Sequence, residues 1–89
     1  MNRIVIDCSR FASGEDLHRA FAEALGFPAH YGGNLDALHD CLTDISRQTT
    51  IHLTGWDAAE ASLGRYAAAA KKAILHAAAT NTVLAVTFI

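Results

Sequence analysis

Three short runs rich in β-branched residues, at 3–8, 49–54 and 83–89, are separated by two long stretches with helical periodicity. That alternation narrows the fold more than any other property of the chain. A strand followed by helices returns to the same end of its sheet, so the next strand pairs with it in parallel. In the first stretch Ser13 is expected to open a helix with Asp16 as its capping-box partner. Leu17, Ala20, Phe21, Ala24 and Leu25 then form one apolar stripe. Gly26 should end this helix, and Pro28 blocks its continuation. Asn34 is expected to cap a second helix over 35–45, with Leu35, Leu38, Cys41, Leu42 and Ile45 on one apolar arc. In the second stretch 56–63 predicts a short helix broken at Gly64, and 65–79 an Ala-rich one. The run at 3–8 reads as a buried strand. The expected architecture is a single α/β domain over 1–89: a small three-stranded parallel sheet packed with about four helices, in β-α-α-β-α-α-β order.

Composition supports that core. With 89 residues, 52% of them hydrophobic, and a single Pro, the chain is too apolar and too weakly charged for disorder. Its unbroken apolar runs are only a few residues long, so no membrane span is expected. No basic segment precedes a long apolar stretch, so no secretory signal is expected either, and the location it implies is cytoplasmic. Two cysteines, Cys8 and Cys41, do not make a disulfide framework and are expected to be buried, inert thiols. There is no CxxC, and no HxxxH among His18, His30, His39, His52 and His76. Consecutive helical residues such as His39, Asp40 and Cys41 diverge by about 100° and do not close on one ion. No metal or cofactor is expected. The same divergence separates His39 from Asp40 as a base and its orienter, and the serines lack a nucleophile-elbow context. Tyr31-Gly-Gly-Asn34 has the look of a phosphate loop, but it lacks a lysine and leads into aspartates that repel phosphate. These residues do not suggest an enzyme.

The net charge of −2 conceals an asymmetry. Residues 20–46 hold four acids (Glu23, Asp36, Asp40, Asp44) and no Lys or Arg, a local charge of −4; the rest carries five acids and seven bases, or +2. Asp36, Asp40 and Asp44 fall four residues apart, on one stripe of the second helix. Like charges at that spacing repel, and Asp44 sits at the helix end that disfavours anions. The stripe is compatible with an ordinary solvated face. It is equally compatible with a surface built for a strongly basic partner, where unpartnered charge speeds and selects association.

The segment Phe27-Pro-Ala-His-Tyr-Gly-Gly-Asn-Leu-Asp-Ala-Leu-His-Asp-Cys-Leu-Thr43 resembles the signature of the barstar family, intracellular bacterial inhibitors of secreted guanyl-specific ribonucleases related to barnase. Asp16-Leu-His18, the chain length and the order of elements agree with it. The resemblance implies a protein inhibitor whose second helix and preceding loop plug the active site of a secreted barnase-like ribonuclease or a delivered ribonuclease toxin, making it an immunity protein in the latter case. It implies that Asp40 takes the place of an RNA phosphate and that Asp36 is a second interface acid. It also implies that His30, Asn34, Leu35, His39, Thr43, Asp44, Ile45 and His76 lie at the ribonuclease-binding face, with Gly32 and Gly33 shaping the loop. No direct binding of nucleic acid or membrane is implied. His30 and His39 stand where the family's best-known member has tyrosine and tryptophan, Asp44-Ile45 replaces Gly-Trp, and His76 replaces an acid. Histidines facing a basic surface are expected to serve best when neutral, so affinity should fall as pH drops through about 6.5. An acidic docking module for a different basic protein is the alternative.

Overall fold

The computed structural model describes residues 2–89. Its elements are β1 (Asn2–Asp7), α1 (Gly14–Leu25), α2 (Leu35–Thr43), β2 (Thr49–Thr54), α3 (Trp56–Leu63), α4 (Arg65–Thr80) and β3 (Leu84–Phe88). The strands form one parallel sheet in the order β1-β2-β3, as the alternation of strands and helices predicts.

Register puts Ile4, Ile51 and Val86 in one row, and Ile6, Leu53 and Phe88 in the next. Both rows face the helices, and on that side Leu17, Phe21, Leu38, Leu42 and Ile74 are fully buried. Ala67, Ala70 and Ala77 are fully buried too, so α4 meets its neighbours along a face of methyl groups. The opposite rows of β1 and β3 lie open: Arg3, Val5 and Asp7 are exposed, as are Ala85 and Thr87. The expectation of a buried first strand is therefore half wrong. β1 is an edge strand with one face in the core and Val5 62% exposed. β-Branched composition does not distinguish an edge from a centre.

The expected capping box at α1 also resolves differently. Ser13 adopts the extended N-cap conformation but makes no side-chain cap bond. The Asp16 carboxylate instead accepts from the Ala12 N–H at 2.9 Å. Gly26 ends the helix in the left-handed region as predicted. At the β2–α3 junction Gly55 has φ +66°, and a Cβ there would sit 2.8 Å from Ser9 Cβ and 3.0 Å from its backbone nitrogen. Glycine is required at this crossing for conformation and for space. No helix among the described residues is long and apolar enough to cross a membrane.

Candidate functional site

α2 and the loop before it carry most of the residues singled out above. Gly33, at φ +67°, turns the chain into the helix, a conformation that L side chains rarely adopt. Gly32 is not left-handed, and a Cβ there would make only ordinary contacts at 3.5–3.6 Å, so it is not forced to be glycine by backbone shape. Asn34 caps α2 as expected: its side-chain oxygen accepts from the Ala37 N–H at 2.8 Å. Asn34 itself is exposed, and its amide NH2 makes no hydrogen bond among the described residues.

The helix ends at Thr43, two residues earlier than the apolar arc predicts. Asp44 is the C-cap, and its N–H donates to the Asp40 carbonyl at 3.1 Å. The Ile45 N–H donates to the Leu42 carbonyl at 3.4 Å, and carbonyls at this end are met from outside the segment as well. Asn81, the C-cap of α4, donates its side-chain NH2 to the carbonyls of Leu42 at 3.0 Å and Ile45 at 2.9 Å, with Thr43 at 3.4 Å. Its own Oδ1 accepts from the Val83 N–H. Sequence reasoning missed Asn81, which in the chain is only one polar residue of a Thr-Asn-Thr helix stop.

Asp36, Asp40 and Asp44 are all exposed on one stripe. Among the described residues no Lys or Arg lies within 4.0 Å of them; the ion pairs formed by arginine join Arg19 to Glu15 and Asp16 on α1. The Asp40 side chain is 82% exposed, with His39 Nδ1 3.8 Å from its Oδ1. That is beyond hydrogen-bond reach, in keeping with the divergence of adjacent helical residues. The Asp40 backbone, by contrast, is fixed, since its carbonyl accepts from both Thr43 Oγ1 and the Asp44 N–H. Thr43 thus turns its hydroxyl inward to the helix.

Leu35 and Ile45 are half-buried and pack against the core, so each offers only part of its side chain to a partner. His30 is exposed on the loop. His76 reaches across from α4, and its Nδ1 lies 2.7 Å from His39 Nε2. These two rings, with Leu35, Asp36, Ala69, Lys72 and Ala73, line a groove of about 430 Å³ between α2 and α4.

Tyr31 anchors the loop from within. Its ring packs 4.9 Å from Phe27, and its hydroxyl lies 2.5 Å from Nδ1 of the buried His18 on α1. The other His18 nitrogen lies 2.5 Å from the Tyr66 hydroxyl on α4. One imidazole therefore ties α1, the loop and α4 together. Burial holds His18 below the ordinary imidazole range, and burial chiefly pushes the Tyr31 phenol up to about 12. Cys8 is buried as expected, but Cys41 is only half-buried. Burial raises both thiols, Cys8 to about 12, with Asp44 and Asp40 adding to the effect at Cys41. A thiol kept protonated is a poor nucleophile and a poor metal ligand.

The arrangement is an exposed acidic stripe with no Lys or Arg within 4.0 Å of its carboxylates among the described residues, on a helix capped at both ends and flanked by two histidines. The family model for barstar, described as barnase inhibitor, matches residues 1–88. The chain is also 41% identical over 68 residues, 75% of each chain, to a Bacillus subtilis (strain 168) protein named "Putative ribonuclease inhibitor YrdF". With the parallel three-stranded sheet, the four helices and the Asn34-capped acidic helix, these similarities place the chain in the barstar family.

Proposed function

We propose that this protein inhibits a barnase-like, guanyl-specific ribonuclease by inserting α2 and the 27–33 loop into its active site, with Asp40 in the position of an RNA phosphate. Family membership supports ribonuclease inhibition. The observation that carries the mechanism is the unpaired acidic stripe on a helix whose backbone is fixed at both ends. A nuclease site must be basic to hold phosphate, and a carboxylate offers arginine a planar, two-oxygen acceptor that it can grip bidentately. Asp36 adds a second negative charge one helical turn away. The Asn34 NH2 and the rings of His39 and His76 supply hydrogen-bonding groups around the two acids. The inhibitor acts in the cytoplasm, shielding the cell from a ribonuclease that is made for export or delivered as a toxin.

The test is inhibition of a panel of barnase-like nucleases by the wild type and by Asp40→Ala. Losing one charge-assisted hydrogen-bonded group costs about 1.5–3 kcal/mol, so inhibition by Asp40→Ala should weaken by roughly ten- to more than a hundredfold. Equal inhibition by both proteins refutes the phosphate-mimic role. Failure of the wild type against every nuclease in the panel favours docking to a different basic protein.

A further inference from the structure

His39 and His76 lie 37 positions apart in the chain, so no local spacing joins them. In the fold they meet across the α2–α4 groove with ring centroids 4.9 Å apart and planes inclined by 33°. The charged groups around them are few. Asp40 lies 3.8 Å from the outer nitrogen of His39, while Asp36 from α2 and Lys72 from α4 line the same groove. His39 Nε2 and His76 Nδ1 share a hydrogen bond at 2.7 Å, one ring N–H donating to the lone pair of the other. Once the shared proton moves to the far nitrogen of its own ring, both rings present a lone pair to the same space.

Two imidazole nitrogens each about 2.1 Å from one ion, at an angle of about 90°, stand about 3.0 Å apart. The observed separation is 2.7 Å with the rings nearly end to end, so closing on an ion requires the hydrogen bond to open and each ring to turn toward the ion, which side chains at this partly open surface can do. We propose that His39 and His76 form a two-imidazole site for a borderline divalent transition-metal ion: Cu2+, Ni2+ or Zn2+. Imidazole suits these ions, and Cu2+ should bind tightest. No set of three or more metal-ligating side chains stands together among the described residues, so water completes the coordination and the ion exchanges readily. Occupancy pins α2 to α4 and adds two positive charges beside Asp36 and Asp40. If the nuclease docks as proposed above, ion and nuclease weaken each other's binding reciprocally.

The full chain, freed of metal, is titrated separately with CuCl2, NiCl2 and ZnCl2 by calorimetry, and its histidine ring signals are followed by NMR. The proposal expects one ion per chain, Cu2+ tightest, with early broadening by Cu2+ confined to the rings of His39 and His76. His39→Ala and His76→Ala, each shown folded by circular dichroism, should bind at least tenfold more weakly. Broadening spread evenly over the five histidines, or unchanged affinity in both variants, overturns the site. A matched inhibition assay with and without ion separates the two readings. An ion that binds as described yet leaves inhibition unchanged refutes the mutual exclusion and counts against the assigned nuclease face, while the metal site stands. Absence of ion binding refutes the site whatever the nuclease result.

Discussion

Replacing His18 by leucine should loosen the 27–33 loop without altering any residue on its surface. A neutral imidazole has one N–H and one lone pair, so of Tyr31 and Tyr66 one hydroxyl accepts and the other donates. Leucine fills much of the volume and ends both interactions. At about 1 kcal/mol net for each hydrogen bond, the loss is about 2 kcal/mol, or roughly a thirtyfold shift in the folding equilibrium. The hydroxyls of Tyr31 and Tyr66 belong to half-buried residues that can turn toward water, which keeps the loss from rising much further. Urea denaturation of the wild type, His18→Leu, Tyr31→Phe and the double variant measures this directly. Contact of His18 with Tyr31 requires a coupling of at least about 0.5 kcal/mol in that cycle. The pH dependence gives a second reading. Burial lowers the folded-state pKa of His18, so the fold favours the neutral ring. The stability this contributes is complete above the unfolded value of about 6.5 and is lost as pH falls through the lower folded value. His18→Leu lacks that component, so the gap between wild type and variant should narrow from pH 7.5 to pH 5. Additive effects in the cycle, together with a gap that does not change with pH, would refute the clamp.

Two further substitutions probe the scaffold. Asn81→Asp replaces a donor with an acceptor facing the carbonyls of Leu42 and Ile45 at the negative end of α2; it should lower stability by about 2 kcal/mol and the calorimetric Tm by about 10 °C, and an unchanged Tm would contradict the cross-helix cap. Gly55→Ala meets both a left-handed backbone and the Ser9 backbone at 3.0 Å, whereas Gly26→Ala meets the same conformation with open space around it. Gly26→Ala should cost about 1–2 kcal/mol and Gly55→Ala clearly more; equal urea midpoints would show that the Ser9 contact is absorbed without strain.

What could be read from the sequence is what local residues decide. β-Branched runs placed all three strands within a residue or so, and the parallel topology followed from the helices between them. Asn34 was legible as a cap because its acceptor and the Ala37 N–H lie three residues apart. The other end of α2 was not legible, since its cap comes from Asn81, 36 to 39 positions away. The same distance problem hid the meeting of His39 with His76 and that of His18 with Tyr66. At Ser13 the local signal was correct in kind but misdirected: Asp16 had two nearby donors to choose from and took Ala12. The exposure of Val5 escaped because edge or centre is settled by strand order rather than by composition. For the candidate site, the charge asymmetry and the stripe were visible at once, whereas the inward turn of the Thr43 hydroxyl and the core packing of Ile45 needed coordinates.

α2 has nine residues, fewer than the roughly twelve to fifteen that an isolated helix needs to persist in water. Held by Asn34 at one end and Asn81 at the other, it owes its persistence to the rest of the domain. Ordering nine backbones costs on the order of 10 kcal/mol of conformational entropy, and that cost is met during folding, before any partner arrives. Association with this helix should accordingly proceed as rigid-body docking, with little ordering left to do at the interface. A residue such as Asn81, which a partner need never touch, then controls affinity through the fraction of molecules in which the helix exists.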